Sequence, residues 1–441
     1  MSHHTRTNLA IAACLALVAC SSSHDNFDKS TQYGPDPQLP EPSRALLPRM
    51  NVSKVVGWQQ GETPTVPQGF KIEAIATGLS NPRNVLPLAN GDLLVVESNK
   101  SGAEPLERPK RKIMDWIEAK AHGGTGNGPS NRILLLRAGA DGKRAQPTVL
   151  IDNLNAPFGI VLVGDSLYVA DTDAILRYPY KVGDTKVGGD ATKVVDLPAG
   201  PIDHHWTKSL TASPDGSMLY VGVGSNSNIL ERGIAAEMNR ADILEVDPKT
   251  GAFDVFAHGL RNPNGLTFYP GSNTLWTVVN ERDELGPDLV PDYMTSVKRG
   301  AFYGWPYSYW GQNVDERVRP QRPDLVKAAI KPDYGLSSHV APLGLAFYTG
   351  SSFPAQFKGG AFIGEHGSWN RPERNGYKVV FVKFENGKPV GQPIDFVTDF
   401  LKGDDARGRP VGVAVDKSGA LIVADDVGNT VWRVTANGAT G

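Results

Sequence analysis

Cysteine is almost missing from this 441-residue chain: Cys14 and Cys20 are the only two, and none follows them. A domain folded downstream of Cys20 therefore has no disulfide staple and no thiol nucleophile, which removes cysteine-based catalysis from consideration. Long apolar runs are lacking too. Leu9 to Ala19 is too short to span a bilayer as a stable helix, and nothing later approaches that length. Positive charge is not in excess: the formal net charge of -2 argues against nucleic acid as a partner, because phosphate binding needs a basic face. No GxSxG elbow, phosphate-binding P-loop or dinucleotide-binding glycine pattern stands in a matching context.

What the first residues do contain points to export. Arg6 precedes the short apolar run, which ends in Leu17-Val18-Ala19-Cys20 and continues as Ser21-Ser22-Ser23. Small residues before a cysteine in this place resemble the bacterial lipobox, whose cysteine is diacylated after cleavage. The expectation is a lipoprotein signal over 1–19, lipid on Cys20, a disordered, polar, Pro-rich tether over 20–66 and a folded domain over 67–441. Lipid rather than a helix would then hold the protein to the membrane. The serine after the cysteine resembles the pattern of lipoproteins sent to the bacterial outer membrane, facing the periplasm.

The 48 glycines, 33 prolines and short runs rich in Val, Ile, Leu and Tyr read as many short strands joined by turns. A longer pattern recurs six times: a turn often holding Pro-x-Gly, a strand, a polar turn and a second strand. Its copies begin at Asn81-Pro82-Arg83-Asn84, Ala156-Pro157-Phe158-Gly159, His205-Trp206-Thr207-Lys208, Asn262-Pro263-Asn264-Gly265, Ala341-Pro342-Leu343-Gly344 and Arg409-Pro410-Val411-Gly412. Each unit offers two faces to bury, and only a closed ring of neighbours covers both. The fold expected is all-β, a six-bladed β-propeller.

In a propeller the inner strands line a central channel, and the turns before them converge at one mouth. His205, Arg261, Asn262 and Arg409 stand at such corners, where structural turns require none of them. Arg261, Arg407 and Arg409 would form a cationic pocket suited to a planar anion, since guanidinium forks pair with carboxylates. His205 among them would have its charged form disfavoured, leaving the neutral imidazole that a general base needs. A single aligned corner would carry little weight, because such groups also cap backbone carbonyls.

The run His205-Trp206-Thr207-Lys208-Ser209-Leu210 resembles the turn bearing the catalytic histidine of soluble aldose dehydrogenases dependent on pyrroloquinoline quinone, including the L-sorbosone dehydrogenase-like proteins. Gly259-Leu260-Arg261-Asn262-Pro263 resembles their Arg-Asn-Pro motif. Tyr303-Gly304-Trp305-Pro306, Glu365-His366-Gly367-Ser368-Trp369-Asn370 and Arg407-Gly408-Arg409 add further matches. The resemblance implies oxidation of an aldose or related aldehyde or alcohol by hydride transfer to the quinone, with an electron acceptor it does not specify. By the same resemblance His205 is the base, Arg261 stabilises the reduced quinone oxygen, and Asn262, Arg407 and Arg409 hold the cofactor. Arg371 stands where the family has a lysine and, by the resemblance, would take its place in holding the cofactor. Calcium would be held by the carbonyls of Gly286 and Pro287. Two other readings stay open: a metal-dependent propeller lactonase, which needs a carboxylate-rich channel, and a propeller that only binds sugar or protein.

Lesser features complete the reading. His204 is an alternative to His205, of which alternation along extended chain would turn one inward. His339 and His366 are each divided between ligand contact and packing. Asp283, Glu284, Asp288 and Asp292 read as a solvated loop rather than a carboxylate metal cage. The stretch 103–131, with Met114, Trp116 and Ile117 on a predicted helix, is an insertion that would form a lid or cover an edge.

Overall fold

The Pro-x-Gly repeat has a steric origin that becomes plain where the innermost strands meet. A Cβ at Gly159 would lie 2.5 Å from the Lys208 carbonyl oxygen of the next blade, and one at Gly412 would lie 2.9 Å from the Arg83 oxygen. Only glycine lets neighbouring inner strands approach this closely around the axis. The preceding proline opens the strand, where its missing N–H costs no ladder bond.

In the computed structural model, which describes residues 27–43, 50–99, 130–139, 146–200 and 203–438, the chain forms six four-stranded antiparallel blades. Their inner strands are Pro82–Pro87, Gly159–Val163, Lys208–Ala212, Pro263–Phe268, Pro342–Phe347 and Pro410–Val415. Each touches the next, and Pro410–Val415 returns to Pro82–Pro87, so the ring is closed. Closure is made across the ends of the folded part: Phe70–Ala76 pairs antiparallel with Thr430–Ala436 and supplies the outer strand of the last blade.

Burial follows from the ring. Second strands such as Leu93–Glu97, Leu275–Val279 and Leu421–Asp425 are buried at every residue, because a blade lies against each face. They accordingly read as nearly continuous apolar runs, interrupted by Glu97, Thr277 and Asp425, rather than as alternations. Outer strands such as Phe253–His258 are far less covered, with one buried residue in six. Between the last two blades an aromatic cluster of Phe353, Phe357, Phe362, Phe381 and Phe396 takes Phe70 edge-on at 4.8 Å from Phe353. Among the described residues helix is confined to Pro323–Ala328 and a few single turns. No helix among the described residues is long and apolar enough to cross a membrane.

Two expectations change. The segment 20–66 is not a free tether over its described residues. Tyr33–Gly34 adds a fifth strand to the fourth blade beside Tyr334–Ser338, and Gln32 is completely buried. Trp58 packs at 5.1 Å from Trp432, and its Nε1 donates to Asp425 at 2.7 Å. This strap escapes pattern reading because it joins existing edges one residue at a time and has no period of its own. Second, Asp288 and Asp292 are buried, not solvated; Asp288 pairs with Arg371, and Asp292 accepts the amides of Glu281 and Ala341. Residues 1–26, Cys20 among them, and 100–129 of the insertion lie outside the described residues.

Candidate functional site

The middle residue of each Pro-x-Gly repeat points to the axis and builds the floor of the mouth. Phe158, Leu343 and Val411 meet there as an apolar plug from three blades. Thr207 and Asn264 bond to each other at 3.2 Å on another side. The first blade supplies Arg83, whose guanidinium stands 5.8 Å from the Phe158 ring centre and 5.3 Å from that of Trp206.

Above this floor His205 has a defined tautomer. Its Nδ1 lies 2.7 Å from the Ser225 carbonyl oxygen, an acceptor only, so Nδ1 carries the hydrogen. The Ser225 hydroxyl is committed to the Ser227 oxygen at 2.6 Å. Nε2 is thereby left with its lone pair. Burial, then the Arg261 guanidinium and His204, drives the imidazole's pKa well below its ordinary value and keeps the ring neutral. His204 is not turned away as alternation would have it; its ring stands 4.6 Å from that of His205, edge to face.

Arg261 and Asn262 follow directly on the next corner. The Arg261 guanidinium donates to the carbonyls of Glu281 at 2.7 Å and Asn280 at 3.3 Å, and to Asn228 Oδ1 at 3.1 Å; Asp283 is 3.6 Å away. The Asn262 amide oxygen is buried without a hydrogen-bond partner. Gly224 makes the cluster possible: a Cβ there would collide with that oxygen and lie 2.5 Å from His205 Cβ. The blade of His205 thus has glycine beside the site, where the last two blades end their second strands in Glu365 and Asp425.

A second group faces the first across the floor. The Arg409 guanidinium donates to the carbonyls of His366 at 2.8 Å and Gly367 at 2.6 Å and lies 4.9 Å from the Tyr377 ring centre. His366 Nε2 donates to Asp426 at 2.9 Å, and Arg83 pairs with the same carboxylate at 2.5 Å. Burial raises the Asp426 pKa, but His366 and Arg83 outweigh it and hold the carboxyl far below its usual range. His366 itself is brought down to about 4, by burial first and the Arg409 charge second. The Arg83 Nε is buried without a partner. Trp206, adjacent to His205 in the chain and under Arg83 in space, joins the two groups.

The loop after the fourth blade's second strand forms one wall. His339 Nε2 lies 3.2 Å from the Gly286 oxygen, and its Nδ1 lies 3.0 Å from the Asn370 amide nitrogen and 3.4 Å from an Asp283 oxygen. Asp283 lies between His339 and Arg261. Burial raises its pKa, but the His339 hydrogen bond and the Arg261 charge hold it below the usual value. Pro287 follows Gly286 on this wall, so carbonyls rather than side chains are the donors it offers a cation. Among the described residues no three His, Cys, Asp or Glu side chains gather as a metal cage.

The structure brings His205, Arg261, Asn262 and Arg409 into connected groups at the mouth, but it withholds Arg371 and Arg407. Arg371 is spent on Asp288 at 2.7 Å and the Ser338 carbonyl at 3.1 Å. Arg407 pairs with Glu62 at 3.3 Å and lies over Trp58, both on the N-terminal strap. Sequence reasoning missed Arg83, Asp426 and Asn228. For Arg83 a signal existed: it is the one charged residue at the middle position of a repeat that elsewhere holds Phe158, Thr207, Asn264, Leu343 or Val411.

Comparison with known proteins bears on the fold and the family. The chain is 22% identical over 416 residues to a protein of Hypocrea jecorina named pyrroloquinoline quinone-dependent sugar dehydrogenase, covering 82% of this chain and 87% of that one. It is 27% identical over 203 residues to the aldose sugar dehydrogenase YliI of Escherichia coli, covering 42% of this chain and 53% of that one. The holo pyranose dehydrogenase PQQ domain of Coprinopsis cinerea superposes with a TM-score of 0.68 at 20% identity, over 87% of this chain and 100% of that one. A model of the family described as TrAA12-like matches residues 133–309 and 323–437, well over half the sequence and five of the six corners, and the chain therefore belongs to the TrAA12-like family.

Proposed function

We propose that this protein is a quinoprotein dehydrogenase that oxidises a hydroxyl of a sugar, or a related alcohol or aldehyde hydrate, at the channel mouth. The observation that carries the reading is His205: a neutral imidazole, tautomer fixed by Ser225, with Nε2 open beside a cationic pocket. The relatives' names supply the cofactor class. The residues present suit it, because Asn262 and Arg83 each leave a buried polar atom unpaired at the mouth, and Arg83, Arg261 and Arg409 offset the charges of carboxylates. Bound there, pyrroloquinoline quinone would supply the two-electron acceptor for the substrate's hydride.

This chain's own residues do the rest. His205 Nε2 takes the substrate hydroxyl proton, and its Nδ1–H stays on the Ser225 carbonyl so that the ring keeps its aim. Arg261, braced by four oxygens, holds positive charge where negative charge develops. Asn262 and Arg409 orient the cofactor, and the carbonyls of Gly286 and Pro287 are the donors offered to calcium. The carboxylates at the mouth, Asp283 and Asp426, are each tied to a histidine and an arginine, which favours this reading over a hydrolase with a carboxylate-held metal. Apoprotein given quinone and calcium is expected to reduce an artificial electron-accepting dye when supplied with aldoses. No reduction across a panel of aldoses, with quinone bound, would return the protein to a sugar-binding propeller.

The N-terminal sequence adds a place of work: lipid on Cys20 holding the enzyme at the bacterial outer membrane, facing the periplasm. Cys20→Ala is expected to move the protein from the membrane fraction to the soluble one. Retention after a high-salt wash without detergent would reveal another anchor.

A further inference from the structure

Gln32 is fully buried, yet it belongs to the N-terminal strap and to no blade of its own. Its amide nitrogen donates to the Asp288 carbonyl. Its amide oxygen accepts from the Ser337 hydroxyl at 3.1 Å and from the Ser338 amide and hydroxyl at 3.2 Å. One neutral side chain therefore ties together the loop bearing Asp283 and Gly286 and the strand end bearing His339. Arg371 repeats the tie, through Asp288 on one loop and the Ser338 carbonyl on the other. Further along the strap, the Ser43 amide donates to the Leu285 carbonyl at 2.8 Å, and Leu39 packs on the cluster holding Leu285 and Leu289.

These ties converge on the wall where His339 meets the Gly286 oxygen and flanks Asp283. We infer that Gln32 is a positioning residue: with the Arg371–Asp288 pair it clamps the Asp283–Gly286 loop against His339, in the arrangement that receives the quinone and its cation. The inference rests on the functional reading above. A glutamine suits the task because it presents a donor and an acceptor together without bringing charge beside the Arg371–Asp288 pair. Removing its amide strands one buried carbonyl and the donors of Ser337 and Ser338, each a costly loss at a buried place. The propeller ring, held by its own ladders and inner-strand contacts, does not depend on them.

The test uses the full chain carrying Gln32→Leu, which keeps much of the volume and loses every bond, beside Gln32→Glu, which keeps the acceptor and loses the donor. Amide hydrogen exchange is followed in the quinone-free proteins, and quinone binding in the presence of calcium is titrated by fluorescence. In Gln32→Leu, exchange over residues 281–290 and 336–341 is expected to quicken roughly tenfold, as for a local opening eased by one or two hydrogen bonds. Pro410–Val415 should stay protected. The quinone dissociation constant should rise by about the same factor, with Gln32→Glu between Leu and wild type, and turnover at saturating quinone should change less than about threefold. Faster exchange in every blade would make Gln32 a residue of the fold and overturn the clamp. Quinone affinity unmoved in Gln32→Leu, with wild type binding normally, would overturn the clamp alone. Wild-type protein that binds no quinone would overturn the functional reading, and the clamp's part in cofactor binding with it.

Discussion

His205→Ala is expected to lower turnover by roughly two to four orders of magnitude, the usual worth of a positioned general base. Quinone affinity should change far less, because the imidazole's fixed contact is to Ser225 and its free nitrogen is left for the substrate. The wild-type pH profile carries the same signature. A base must be deprotonated to act, and burial with Arg261 pushes this imidazole's pKa well below the ordinary histidine value. The kcat/KM of the enzyme should therefore hold level through the range where a free histidine would protonate, and fall only at more acid pH. An acid limb at the ordinary histidine value that survives in His205→Ala would assign the base elsewhere, with His204 the first candidate.

Arg409→Ala is expected to act in the opposite sense, raising the quinone dissociation constant by about 10- to 100-fold, the equivalent of a charged hydrogen bond worth about 1.5–3 kcal/mol. Its guanidinium also fixes the carbonyls of His366 and Gly367 and lies over Tyr377, so part of the loss would come through the shape of that wall. Arg409→Lys separates the two: a point charge is kept, but the planar fork and its stacking are not. Fluorescence titration of quinone against each variant reads the effect directly. Equal affinities for wild type and Arg409→Ala would remove this arginine from the cofactor site.

The repeat could be read from sequence because every blade meets the same steric demand. Glycine is needed where inner strands touch, and proline is tolerated just before it, so the pattern returned at Pro157-Phe158-Gly159 and Pro410-Val411-Gly412 alike. The corner residues followed, since a strand's start fixes where its preceding residues lie. Side-chain direction was another matter. Arg407 is two residues from Arg409, yet the chain crosses a hairpin, Leu401–Lys402 with Asp405–Ala406, just before it, and the guanidinium meets Glu62 and Trp58. Arg371 matched a motif position but found Asp288 first. Both partners come from distant parts of the chain, and local spacing carries no record of them. Gln32 was hidden for the same reason, in a segment whose bonds all run to other elements.

The pairing of Phe70–Ala76 with Thr430–Ala436 also sets an order on folding. Phe70–Ala76, synthesised before any inner strand, must wait for the strand synthesised last, so the contact that completes the ring has nearly the greatest sequence separation the propeller allows. Contacts of that kind form late and slowly. Until then the last blade lacks its outer strand, and Thr430–Ala436 presents an open edge able to pair with another chain. Loop closure over such a distance adds little to the equilibrium cost, since the entropy grows only with the logarithm of length. The penalty is one of time and of exposure to aggregation, and it falls on the molecule before the site exists at all.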